Sequence, residues 1–129
     1  DLGTGAGLPG VLLSIIGYKN LHLVEKSPKK SAFLESCKLR LGLDCIIHNQ
    51  PLAEVSLSNA QYIVARAFAP ISKILNFTRQ MVNDQTQYIL LKGRAYLDEL
   101  KLVSNKSFSW KEFPSITSDE SRIIVLQAR

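Results

Sequence analysis

The chain opens on its most constraining stretch, Asp1-Leu2-Gly3-Thr4-Gly5-Ala6-Gly7-Leu8-Pro9-Gly10, which runs directly into the apolar segment Val11 to Ile16. Glycines at alternate positions permit a left-handed backbone and, lacking Cβ, let a bound molecule approach the chain closely. Pro9 fits the first turn of a following helix, where its missing N–H removes no hydrogen bond. Val11-Leu12-Leu13-Ser14-Ile15-Ile16 then predicts a mostly buried helix. A strand end, a glycine turn and a helix start, in that order, form the nucleotide-binding corner of a doubly wound α/β sheet, with the ligand beyond the carboxyl ends of the strands.

Two ligand classes compete for this corner. Gly5-Ala6-Gly7-Leu8-Pro9-Gly10 satisfies the G-x-G-x-x-G dinucleotide pattern, which is weak when it stands alone. The longer pattern, an acid followed by three alternate glycines, resembles motif I of the methyltransferases that depend on S-adenosylmethionine (SAM). Asn20 to Glu25 predicts a strand ending in a carboxylate, where both families place an acceptor for ribose hydroxyls. The distance from Gly10 to Glu25 falls short of the roughly 20 residues of a dinucleotide site, whereas the distance from Gly3 or Gly5 does not. This favours SAM.

With 129 residues the chain is expected to form one domain, small for a doubly wound enzyme. No apolar run approaches the length of a membrane span and no signal-peptide pattern is present, so the expectation is a cytoplasmic protein with no membrane partner. A net charge of +5 mildly favours a polyanionic partner, although an ordinary basic protein explains it nearly as well. Cys37 and Cys45 match no zinc or redox spacing and read as reduced packing residues. His22 and His48 read as packing or surface residues, and no metal site is expected. Because the sequence starts at the acid of the glycine motif, the first strand and an N-terminal region are expected to precede Asp1.

Further along, Ser27 and Pro28 read as the N-cap and first residue of a helix whose inner face carries Ala32-Phe33, Cys37 and Leu41, closed by Gly42. Cys45 to Ile47 predicts a third strand, Leu52 to Val55 a helical turn, and Gln61 to Arg66 a fourth strand. Pro70 to Val82 and Tyr96 to Val103 read as helices, separated by a strand over Thr86 to Gly93. Ser107 to Phe113 and Arg122 to Gln127 follow with no helix between them, which predicts an antiparallel hairpin at the sheet edge. Tyr62 and Trp110 read as core residues.

Set together, the Asp1 to Gly10 loop, Leu23-Val24-Glu25-Lys26-Ser27 with Lys29-Lys30 and Phe33-Leu34, Arg66-Ala67-Phe68-Ala69, and Leu91-Lys92-Gly93 carry a resemblance to a bacterial family. This is the 16S ribosomal RNA methyltransferase family called RsmG or GidB, which makes a 7-methylguanosine in the small-subunit rRNA. The resemblance implies a Rossmann-like class I methyltransferase fold, a mostly parallel sheet with a C-terminal antiparallel hairpin, over residues 1 to 129. It also implies SAM as cofactor, with contacts at Gly3, Gly5, Leu8 and Glu25, at Leu52, Ala53 and Glu54, and at Arg66. Where relatives often carry a basic residue ahead of the Leu52-Ala53 pair, this chain has Gln50 or Pro51.

A ring nitrogen with a free lone pair has no proton to lose, so its methylation needs alignment and exclusion of water more than a base. Neither cysteine is placed for covalent pyrimidine chemistry, and the adenine-amino signature of Asn/Asp-Pro-Pro-aromatic is replaced here by Arg66-Ala67-Phe68-Ala69. Arg66 and Lys92 are the catalytic candidates. Arg66 suits a methionine carboxylate, against a surface ion pair. Lys92 suits an RNA phosphate or the guanine carbonyl oxygen, against a solvated turn lysine. Phe68 offers a stacking face or a core ring. The expected function is guanine ring-nitrogen methylation in 16S rRNA by a monomer that contacts the small ribosomal subunit. The alternatives are a methyltransferase of another substrate class and a non-catalytic SAM- or dinucleotide-binding module.

Overall fold

A computed structural model describes residues 1–129, which divide into two compact units, Asp1–Val55 and Ser56–Arg129. The first holds α1 (Gly10–Ile15), β1 (Leu21–Val24), α2 (Pro28–Leu41), β2 (Cys45–His48) and a single 3-10 turn, Leu52–Glu54. The second holds β3 (Tyr62–Arg66), α3 (Ile71–Phe77), β4 (Gln87–Lys92), α4 (Tyr96–Lys101), β5 (Phe108–Pro114) and β6 (Arg122–Ala128).

In the first unit β1 and β2 pair in parallel, Leu21 opposite Cys45 and Val24 opposite His48. A parallel pair needs a crossover, and α2 supplies it. Ser27 caps α2 by accepting from the Lys30 N–H, Pro28 is its first residue, and Gly42 ends it in the left-handed region at φ 60°, as the sequence predicts. Leu2 bridges to Val24 in parallel, and the Val24 N–H donates to the Asp1 carbonyl at 2.9 Å. The glycine loop is thereby anchored along β1. Val11, Leu23, Leu34 and Cys45 form the core.

Two expectations for this unit need correction. The inner face of α2 carries Ser31 and Leu34, while Phe33 and Leu41 are more than half exposed. Leu34 is wholly buried in the core with Val11, Leu23 and Cys45, and on the same face Ser31 Oγ donates to the Glu25 carbonyl at 3.0 Å. The α1 segment is not mostly buried either. Only Gly10, Val11 and Ser14 face inward, and Leu12, Ile15 and Ile16 are exposed, because a helix of six residues turns one narrow face to its neighbours. Pro9 stands at the N-cap rather than inside the first turn.

The second unit is a sheet in the order β3-β4-β6-β5. β3 and β4 run parallel, and β6 lies antiparallel to both β4 and β5. The predicted hairpin is therefore present, with β5 outermost. Ile63, Ala65, Leu90, Ile124 and Leu126 are buried strand residues, and α3 contributes Ile71 and Ile74. α3 stops at Phe77, short of Val82; just beyond it Thr78 is buried, its Oγ1 donating to the Ile74 carbonyl at 2.8 Å and meeting Tyr88 Oη at 2.9 Å. Tyr62 and Trp110 are not core residues. Tyr62 is exposed at the start of β3, and Trp110 is half-buried on the outermost strand. No helix is long and apolar enough to cross a membrane.

His22 and His48 stack across β1 and β2, with ring centroids 5.1 Å apart and Nδ1 of His22 2.8 Å from Nε2 of His48. Burial holds both imidazoles below the usual 6.5, and at His22 the charge of His48 adds to the effect. A depressed base binds protons more readily in the unfolded chain. Its stabilisation is complete above the unfolded value of 6.5 and is lost as pH falls through the folded value. Thermal melts of the full-length protein should show stability declining as the pH is lowered from about 7.5 towards about 5, and a His48→Gln variant should show a shallower decline. An unchanged slope in the variant would contradict this assignment.

Candidate functional site

The glycine loop is shaped by its own acid. Asp1 Oδ2 accepts from the Gly10 N–H at 2.8 Å and from Thr4 Oγ1 at 2.5 Å, so one carboxylate oxygen ties the beginning of the loop to its end. A Cβ on Gly10 would collide with Leu23 and with this carboxylate, so only glycine closes the loop there. At Gly5 the requirement is conformational. Its φ is +59°, yet a Cβ would meet nothing closer than the Gly3 carbonyl at 3.8 Å. The space beside Gly5 is open, on a stretch that presents backbone rather than side chains.

Glu25 follows β1 immediately and is 6% exposed. Its Oε2 accepts from the Gly5 N–H and its Oε1 from the Ser27 N–H, both at 2.9 Å. Its backbone is fixed as well: the carbonyl accepts from Ser31 Oγ and Asn49 Nδ2, and the N–H donates to the His48 carbonyl. A carboxylate offers about four acceptor positions. Two are taken by backbone and two remain for hydroxyl donors. The 3-10 turn beyond β2 carries Leu52, buried, and Ala53 and Glu54, both exposed, and Gln50 Nε2 braces it by donating to the Glu54 carbonyl at 2.8 Å. Gly3 and Leu8 are partly exposed on the loop.

In the second unit an open cleft of about 820 Å³ lies at the carboxyl ends of β3 and β4 and is lined by Arg66, Ala67, Phe68, Lys92, Glu99 and Arg122, among others. Arg66 is exposed and forms no ion pair with another residue of the chain. Ala67 takes φ +50°, a left-handed conformation that costs an L-residue about 1–2 kcal/mol. Such strain at a strand end turns the chain sharply between Arg66 and the half-buried Phe68.

Lys92 is neither a free phosphate hook nor a solvated turn lysine. It is 8% exposed, and its Nζ donates to the Ala69 carbonyl at 2.7 Å while pairing with Glu99 Oε2 at 2.7 Å. Arg122 is likewise tied down, by the Asp119 and Ser121 carbonyls at 2.7 and 2.8 Å and by the Tyr96 ring at 5.6 Å. Sequence reading misses Thr4, Asn49 and Glu99. Thr4 and Asn49 stand next to motif positions, which is a usable signal. Glu99 has none, since its partners are 28 positions away at Ile71 and seven at Lys92.

These features can be set beside known proteins. A family model described as rRNA small subunit methyltransferase G, GidB, matches residues 1–122. The ribosomal RNA small subunit methyltransferase G of Rhodospirillum rubrum is 34% identical over 125 residues, covering 96% of this chain and 62% of that protein. Its counterpart in Orientia tsutsugamushi (strain Ikeda) is 37% identical over 130 residues, covering 98% and 64%. The chain thus spans a little under two thirds of the length of these relatives. Among solved structures, a ribosomal protein L11 methylase from Lactobacillus delbrueckii subsp. bulgaricus superposes with a TM-score of 0.78 at 18% identity, over 100% of this chain and 68% of that one. A mutant of MtNAS in complex with S-adenosylmethionine gives 0.73 at 19% identity, over 99% and 53%. Likenesses at such identities establish the fold, the Rossmann-like α/β fold of methyltransferases. The match over 1–122 establishes more: the chain belongs to the rRNA small subunit methyltransferase G (GidB) family.

Proposed function

We propose that residues 1–129 constitute the methyltransferase domain of an enzyme that transfers the methyl group of SAM to a guanine ring nitrogen of 16S rRNA, giving 7-methylguanosine. The observation that carries this reading is the Glu25 carboxylate, held at the end of β1 by the Gly5 and Ser27 N–H groups. The donor set fits the cofactor. Glu25 keeps two acceptor positions for the ribose hydroxyls, and the open space at Gly5 lets an adenosine lie against backbone. Gly3 and Leu8 on the loop, and Leu52, Ala53 and Glu54 on the 3-10 turn, complete the proposed cofactor contacts. When bound, SAM supplies a methyl group on a sulfonium, an electrophile that needs no activation by the protein.

The residues then have simple tasks. Glu25 and the loop fix the sugar, and Arg66 offers a guanidinium fork suited to the methionine carboxylate. Phe68 presents an aromatic face on which a purine can stack. The attacking ring nitrogen carries no proton, so no side chain is required as a base, and the protein acts by orientation and exclusion of water. Lys92 contributes by holding the Ala69 carbonyl beside Phe68. An rRNA substrate implies small ribosomal subunits as partner and a cytoplasmic site of action, and we take the working form to be a monomer.

Titration calorimetry of the full-length protein should give SAM a Kd at least about tenfold tighter than NAD, a difference of about 1.4 kcal/mol. Gly5→Val, which forces a β-branched residue to φ +59°, should abolish SAM binding, and Asp1→Asn should weaken it by loosening the loop. Tighter binding of NAD would overturn the cofactor assignment. With labelled SAM and 30S particles from a strain lacking the modification, label should enter 16S rRNA as 7-methylguanosine, and Arg66→Ala should reduce that incorporation severely. Label confined to protein or small molecules would reject the RNA substrate.

A further inference from the structure

The turn that joins β3 to α3 has to reverse the chain between Arg66 and Ile71, and little within it holds it in place. Ala67 is in the left-handed region, and Pro70 at the N-cap of α3 has no side-chain capping bond. The missing cap comes from elsewhere. Glu99 Oε2, on α4, accepts the Ile71 N–H at 2.9 Å. The same oxygen is 2.7 Å from Lys92 Nζ, at the end of β4, which donates in turn to the Ala69 carbonyl at 2.7 Å. Side-chain exposure is 8% for Lys92 and 21% for Glu99, so the pair is largely withdrawn from water. Its two backbone contacts, Ala69 and Ile71, both fall on the turn.

We propose that Glu99 is a positioning residue for methyl transfer: by accepting from the Ile71 N–H and the Lys92 ammonium together, it fixes the strained turn that presents Arg66 and Phe68 to the cleft. This inference rests on the methyltransferase reading above and adds a residue to it. Glu99 touches no reacting atom. Removing its carboxylate frees the Ile71 N–H and leaves the Lys92 ammonium with the Ala69 carbonyl alone, so the turn is no longer clamped on both sides of Pro70. A purely structural Glu99 would change how much protein is folded and leave each folded molecule as active as before.

A double-mutant cycle separates the two roles. Full-length protein is assayed on 30S particles lacking the modification, at saturating SAM and well below each variant's melting temperature, with the folded fraction measured by circular dichroism. Glu99→Ala should lower kcat per folded molecule about tenfold, whereas in an Arg66→Ala/Phe68→Ala background the same change should have less than about a twofold effect, because the residues it positions are already gone. Glu99→Gln, which keeps an acceptor for both donors, should restore most of the rate. If Glu99→Ala does not fold, Glu99→Asp takes its place in the cycle, with a smaller loss of the same non-additive form. Equal effects in both backgrounds, or an unchanged kcat per folded molecule, would overturn the positioning role alone. A wild-type protein inactive on these particles would overturn the methyltransferase reading, and this inference with it.

Discussion

A carboxylate gripped by two backbone N–H groups is the constraint on which the first unit depends. Glu25 is a largely buried residue, and Gly5 and Ser27 each donate to a separate oxygen of its carboxylate. Those two bonds do more than satisfy an acid. One fixes the apex of the glycine loop relative to the end of β1, and the other fixes the start of α2 beside it. The Glu25 carbonyl, held by Ser31 and Asn49, extends the same centre to the inner face of α2 and to the segment after β2. One residue at a strand end thus couples the glycine loop, the start of α2 and the segment after β2.

The loop has a second lock, and the acid of the motif supplies it. Asp1 bonds to Thr4 and Gly10, so the carboxylate that opens the glycine pattern serves loop closure, while the ribose contact we propose is assigned to Glu25. The second unit solves an analogous problem differently. Its strand-end turn is strained at Ala67 and held by a largely buried lysine–glutamate pair, an arrangement that rigidifies because both charged groups also bond to backbone.

Local features are legible in the sequence and long-range polar ones are not. The loop glycines, the Ser27-Pro28 start and Gly42 end of α2, and the β5–β6 hairpin each follow from the conformational limits of a few adjacent residues. The inner face of α2 escapes the sequence because apolar spacing points to Phe33 and Leu41, whereas the buried face pairs Leu34, packed into the core, with a hydroxyl at Ser31 that reaches the Glu25 carbonyl. α3 ends at Phe77, shorter than its apolar stripe suggests, and Thr78 just beyond it is buried with its hydroxyl against Tyr88. Of the candidate site, Glu25 and Arg66 are visible from their strand-end positions. Lys92 is visible for the same reason, but its partner is not, since nothing in a single sequence connects residues 92 and 99 to an amide at 71.

The central claim is that Glu25 holds a nucleoside sugar while remaining tied to the glycine loop. The most direct measurement is a crystal structure of the full-length protein with S-adenosylhomocysteine. The account predicts both ribose hydroxyls within about 3 Å of the Glu25 carboxylate oxygens, with the Gly5 N–H bond retained. A nucleoside bound elsewhere, with Glu25 contacting only Gly5 and Ser27, would contradict it.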